Sequence, residues 1–241
     1  MLLKLLSATL LLCLCSAPSL AAPLDWRTAP RHASGVALDP VQYRDTAMVT
    51  VMAARTFGWR GHFAIHPWIL LKPKGADAYT RHEVVGWGGT KVVRENYALP
   101  DGMWFGAMPF VLQHHQGVQA EALITKIREA IQTYPFADRY RSYPGPNSNT
   151  FIAHISREVP ELRLDLPPTA IGKDYRAISS PIGRAPSGTG VQVSLLGLLG
   201  LTLGLQEAVE LNVLGLGIGV DFNEPAIRLP LLGRLGAGPS G

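Results

Sequence analysis

The sequence predicts an α+β domain, an antiparallel sheet with packed helices, closed by a Gly/Leu-rich C-terminal segment. Three observations point there. Between residues 47 and 97 short apolar or alternating runs are separated by segments containing Gly or Pro, the order of a strand meander. Two stretches with apolar residues at helical spacing follow, 117–134 and 147–159, and each stops at a proline. From residue 187 onward lie almost half of the chain's 25 glycines, no tryptophan and one aromatic, Phe222.

Residues 1–22 read as a secretory signal. Lys4 gives a short positive region, Leu5 to Leu14 is almost wholly apolar, and Ser19, Ala21 and Ala22 offer small residues for cleavage. A retained anchor is the alternative, although the apolar run is short of the ~20 residues that span a bilayer. Export to the periplasm or cell envelope is the expected destination. Cys13 and Cys15, the chain's two cysteines, both lie in this segment. The mature chain is therefore expected to have no disulfide, no thiolate nucleophile and no Cys-ligated metal. The formal charge of +4 is scattered in sign, with no cluster of basic and aromatic residues that would mark a nucleic-acid surface.

Residues 23–45 are a Pro/Ala/Arg-rich lead-in, and 46–186 form the α+β domain. Ala47 to Ala54 is a buried strand, and Phe57 to Gly61 a turn. His62 to Leu71 is the second strand. Phe63, Ile65 and Ile69 share one face, and His62, Ala64, His66, Trp68 and Leu70 the other. Thr80 to Trp87 is a third strand, and Lys91 to Tyr97 a fourth. His114-His115 falls in a loop. In Gly117 to Tyr134, the clearest helix, Ile124, Ile127, Ile131 and Tyr134 make the buried stripe. The second helix opens at Asn147–Asn149, buries Phe151, Ile152 and Ile155, and ends before Pro160. Beyond it, Val191 to Leu205 carries no charged residue, and Leu211 to Val220 nearly repeats its Leu/Gly texture. Packing on the domain, as Gly-interrupted strands or a short buried helix, is the first reading. Membrane contact or insertion is the second, though the first run is again shorter than a span.

The stretch Tyr143-Pro144-Gly145-Pro146-Asn147-Ser148-Asn149-Thr150-Phe151 sets the hydroxyl of Ser148 at a helix N-terminus, where backbone N–H groups and the helix dipole favour developing negative charge. A serine needs a base. His66, on a strand among apolar neighbours, is the leading candidate, and His82 or Glu83 on the next strand could orient its imidazole. Asn147, Asn149 and Trp68 are the residues expected to meet a substrate. No metal or other cofactor is expected. His62 and His66 on a strand stand with Cα atoms about 13 Å apart, too far to share one ion.

Those residues, in the order Phe63 to Ile69, Tyr79 to Trp87 and Asn147 to Phe151, resemble the circularly permuted NlpC-type branch of the papain-like fold, to which lecithin:retinol acyltransferase relatives and envelope peptidases belong. The resemblance implies a histidine on an early strand, a polar residue on the following one, and a nucleophile in an Asn-Cys-x-x-Phe motif opening a helix. Ser148 stands where that branch has cysteine. Over a longer reach the chain resembles the bacterial domain-of-unknown-function family 3750, through Ala53 to Gly61, Pro144 to Phe151, Ala170 to Tyr175 and Pro186 to Gly190. That family implies an envelope context and no known activity. Three readings of the function follow. The first is a non-catalytic binding or envelope-maintenance protein on a papain-like scaffold. The second is a Ser/His-dependent hydrolase or acyltransferase of an amide or ester. Membrane association through residues 191–220 is a third. The partner would be a cell-envelope component, or a lipid or peptide substrate.

Overall fold

The computed structural model of the chain describes residues 25–222 and 225–236; the expected signal segment and both cysteines lie outside them. Among the described residues, five strands form the first sheet. They are β1 (Met48–Arg55), β2 (Ile65–Lys72), β3 (Thr80–Val84), β4 (Val93–Glu95) and β5 (Pro109–Gln116), in the order β4-β3-β2-β1-β5. All neighbours are antiparallel, and the expected meander is β1 to β4. The fifth strand corrects the sequence reading. His114 and His115 lie on β5, paired to the free side of β1, and not in a loop. The run Phe110-Val111-Leu112 masks the alternation of this strand, and a bulge at Val51/Met52 breaks its register. Both histidines are tied down: His114 Nδ1 lies 2.8 Å from Thr50 Oγ1, and His115 Nε2 lies 2.8 Å from the Leu162 carbonyl.

Two helices cover one face of this sheet, α1 (Val118–Gln132) and α2 (Ser148–Glu158). Leu123, Ile124 and Ile127 of α1 and Phe151, Ile152 and Ile155 of α2 pack on Val49, Val51, Ile65, Ile69 and Leu71. Each such side chain taken from water contributes roughly 1.5–3 kcal/mol, so this layer carries most of the domain's stability. On the opposite face Met48, Met52, Trp68 and Leu70 pack with Tyr79, Val85 and Trp104. The alternation read along β2 is therefore real, with Ile65 and Ile69 under the helices and His66, Trp68 and Leu70 on the far side.

The C-terminal segment is a second sheet. Seven described strands run as an unbroken meander: β6 (Ile182–Arg184), β7 (Val191–Leu195), β8 (Leu199–Gly204), β9 (Ala208–Val213), β10 (Leu216–Asp221), β11 (Ala226–Leu229) and β12 (Gly233–Gly236). The strands expected there are present, but their sides are reversed from a packed apolar segment. Gln192, Ser194, Thr202, Glu210, Asn212 and Arg228 point inward and are buried, while their aliphatic neighbours face outward. Cross-strand register aligns the outward residues into rows. One runs Val191, Leu203, Val209, Val220, Ile227, Leu235; a second runs Val193, Leu201, Leu211, Ile218; a third runs Leu195, Leu199, Val213, Leu216. The inward glycines make room for the polar groups. A Cβ at Gly217 would collide with the Glu210 carboxylate.

This inner face is held to the first domain by polar contacts. Lys173 Nζ binds Asp174 Oδ1 at 3.0 Å and the Glu210 carboxylate. Asp174 also accepts from Gln192 at 2.5 Å and from Asn212 at 2.6 Å. Arg157 of α2 donates to the Lys173 carbonyl at 2.7 Å and to Gln192 at 3.1 Å. Neither apolar cluster of the first domain contains a residue beyond Ala170.

Candidate functional site

The N-terminus of α2 is built by its cap. Asn147 adopts an extended conformation, and its Oδ1 accepts the N–H groups of Asn149 and Thr150, while Thr150 Oγ1 accepts the Asn147 N–H. This reciprocal arrangement satisfies the donors that a helix start otherwise leaves open. It also leaves the N–H of Ser148, the first residue of the helix, without an acceptor among the described residues. The Asn147 amide is clamped in turn by the carbonyls of Ser142 at 3.1 Å and Ile171 at 2.9 Å. Gly172, at φ +100°, lies so close to Asn147 that no side chain fits there. Asn147→Ala removes cap and clamp together. It is expected to lower stability by about 2 kcal/mol, at the upper end for caps, as measured by chemical denaturation.

Asn149 ties this helix start to the histidine strand. Its Nδ2 donates to the Ile65 carbonyl at 3.1 Å and to the Ile171 carbonyl at 2.8 Å. The residue after Ser148 is thus joined to the residue before His66. Both Ser148 and His66 line one cavity of about 800 Å³, together with Asn147 and Asn149. Its walls are largely aromatic: Trp26, Phe57, Trp59, Phe63, Trp87, Phe105 and Tyr143 contribute. Ser148 Oγ makes no hydrogen bond to a described residue, and none joins it to His66.

His66 itself is fully engaged on one side. Its Nε2 lies 2.8 Å from Glu83 Oε2, and its ring is stacked on Trp104 with centroids 3.7 Å apart. Arg81 meets the same carboxylate, Nη2 to Oε2 at 2.9 Å and Nε to Oε1 at 2.7 Å. Arg81 is completely buried, lies over Trp68, and donates to the Leu99 carbonyl at 2.7 Å. Burial pushes the Glu83 carboxyl toward its neutral form, but the hydrogen bond and charge of His66 and the Arg81 guanidinium outweigh that and hold its pKa below the ordinary value. Burial lowers the His66 pKa from its usual 6.5, against the pull of Glu83. At neutral pH the pair is then a carboxylate and a neutral imidazole. A carboxylate only accepts, so Nε2 carries the proton and Nδ1 the lone pair.

Of His82 and Glu83, the two residues expected to orient the imidazole, Glu83 is the one that meets His66. Ile69 pairs with His82, which puts His82 on the helix-covered face, away from His66, with its Nδ1 3.9 Å from Glu95. Glu83, one residue on, falls on the His66 face. Trp68 is 0% exposed, donates to the Pro100 carbonyl at 2.8 Å, and does not line the cavity. It supports Arg81. Sequence reading missed Arg81, Trp104 and Asn149's tie to Ile65. The alternation Arg81-His82-Glu83 was the available signal for the first. Among the described residues no group of three His, Cys, Asp or Glu is placed to hold a metal ion.

Fold and site together define an α+β domain with a carboxylate–imidazole pair and a serine at the first position of a capped helix around an aromatic cavity. The chain belongs to the family described as "Protein of unknown function (DUF3750)", whose model matches residues 46–175, a span that holds every member of this site from Thr56 to Ile171. No curated protein and no solved structure matches the chain.

Proposed function

We propose that this is an envelope protein whose cavity takes an acyl ester or amide and cleaves or transfers the acyl group, with Ser148 as nucleophile and His66 as base. The observation that carries the reading is the His66–Glu83 hydrogen bond, which leaves the Nδ1 lone pair free in a cavity shared with an unbonded serine hydroxyl. In attack, Ser148 Oγ would add to the substrate carbonyl while its proton passes to His66 Nδ1. The oxyanion would form beside the open Ser148 N–H at the positive end of α2. The imidazolium would be stabilised by Glu83 and would return the proton to the leaving amine or alcohol. The order of histidine strand, acid strand and helix-opening serine resembles that of the circularly permuted NlpC-type papain-like branch, with oxygen in place of sulfur. A serine hydroxyl is not held as an anion beside imidazole, so the oriented base matters more here than beside a thiol.

A second reading, binding without chemistry on the same scaffold, is favoured by the absence of a hydrogen bond between Ser148 and His66. A serine-reactive fluorophosphonate separates the two. Labelling of the wild type that disappears in Ser148→Ala is the expected result; a folded wild type with no Ser148-dependent label favours binding. The base must be neutral, and its pKa is lowered, so the labelling rate should be flat at pH 7 and fall with a midpoint below 6.5.

A further inference from the structure

We infer that the outward face of the seven-stranded sheet docks on a lipid bilayer and brings the mouth of the cavity to the lipid surface. This goes beyond the proposed chemistry and does not depend on Ser148 reacting. The three outward rows hold only Val, Leu and Ile, while the buried charges and amides sit on the other side. In water that arrangement leaves the aliphatic side chains exposed and the polar ones buried, the reverse of a soluble sheet. Apolar-out and polar-in alternation is what a sheet facing hydrocarbon requires.

The strands of five or six residues are shorter than the ~9–11 that cross a bilayer. Their inner face is packed on the domain through Lys173, Asp174 and Arg157, so it lines no lumen. The sheet therefore lies on a bilayer and does not span it. No helix among the described residues is long and apolar enough to cross one.

A second copy of the chain fits this face less well. The rows from Val191 to Leu235 contain no Trp or Tyr, the aromatic side chains that anchor protein interfaces.

Continuity with the cavity points the same way. The third row ends at Leu216, and Leu214 and Leu216 line the cavity. Tyr143 on its wall donates to the Leu214 carbonyl at 3.1 Å. Trp26, Trp59 and Trp87, 53%, 68% and 44% exposed, line the same cavity. Exposed tryptophans beside an aliphatic surface are the composition of a membrane–water boundary. At the edge of the face Arg184 stands beside Val191, and the chain carries a net +4, which favours anionic headgroups.

The test is flotation of the full chain with vesicles of phosphatidylethanolamine and phosphatidylglycerol, beside Leu201→Glu/Leu211→Glu. Both positions are outward and exposed, so the variant is expected to keep the wild-type circular dichroism and melting temperature. The expected result is wild-type flotation and at least a tenfold loss of vesicle partitioning in the variant. Fluorophosphonate labelling in lipid-free solution should be equal in the two, which separates failure of docking from failure of the proposed chemistry. The inference is overturned if the wild type stays with the soluble fraction, if the variant floats equally well, or if the substitutions convert a lipid-free dimer to a monomer without changing flotation.

Discussion

Glu83→Gln is expected to leave a folded protein whose Ser148 has lost its reactivity. The amide keeps the shape of the carboxylate, and its oxygen can still accept from Arg81. Its NH₂ group would then face His66 Nε2 and donate to it. That exchange reverses the imidazole tautomer: Nε2 becomes the acceptor and Nδ1 carries the proton. A base that holds its proton on the wrong nitrogen cannot take one from serine, and fluorophosphonate labelling should fall on the order of 10³–10⁴-fold. Glu83→Leu should behave differently. It leaves the fully buried guanidinium of Arg81 without its carboxylate and His66 Nε2 without a partner. Removing one member of a buried pair costs about 3–5 kcal/mol, which chemical denaturation would register directly. A Gln variant as unstable as the Leu variant, or one that labels at the wild-type rate, would argue against the tautomer account.

The second large effect is expected at the junction of the two sheets. Burial alone would lower the Lys173 pKa, but the carboxylates of Asp174 and Glu210 overcome it and raise it above the ordinary 10.5. Because the folded value is raised, this lysine's contribution is complete below pH 10.5 and fades only as the pH rises past it. Lys173→Met removes the cation and leaves Asp174 and Glu210 buried together. Asp174 keeps its amide donors Gln192 and Asn212, but Glu210 is already pushed upward by burial. The expected loss is about 3–5 kcal/mol at neutral pH. A carboxyl whose pKa is raised in the folded state stabilises it when protonated. The gap between variant and wild type should therefore narrow as the pH is lowered toward about 4–5. Denaturation curves at the two pH values check both the size and the sign. Limited proteolysis should find the first new cuts in residues 187–222.

Much of the first domain was legible because its signals are local. Asn147, with Thr150 three residues on, is a cap that can be read from the chain, and α2 begins where it says. The parity of β2 placed His66 with Trp68 and Leu70 before any pairing was known. What a single strand cannot give is register. Whether His82 or Glu83 meets His66 depends on Ile69 pairing with His82, a long-range fact. Strand β5 was lost because Phe110-Val111-Leu112 hides a period of two, and because it returns to pair with β1 across the sheet. In the C-terminal segment the alternation Val191-Gln192-Val193-Ser194-Leu195 was plain, yet a period of two names two faces without saying which one is buried. The usual assignment, apolar inward, gives the wrong side here. The acid Glu210 and the amides Gln192 and Asn212 find partners on the inner side, which is information carried by Lys173, Asp174 and Arg157 far along the chain.

The polar character of that junction has a thermal consequence. Separating the seven-stranded sheet from the domain would hydrate carboxylates, amides and a guanidinium more than hydrocarbon. Apolar exposure raises heat capacity by about 0.45 cal/K/mol per Å² and polar exposure lowers it by about 0.26. The two sheets are thus joined with little heat-capacity change, whereas the helix-covered core of Val49, Ile69 and Phe151 has a large one. Cooling weakens the core and leaves the junction almost untouched. Near the cold end of its stability curve, the chain should loosen first in the part that looks best packed.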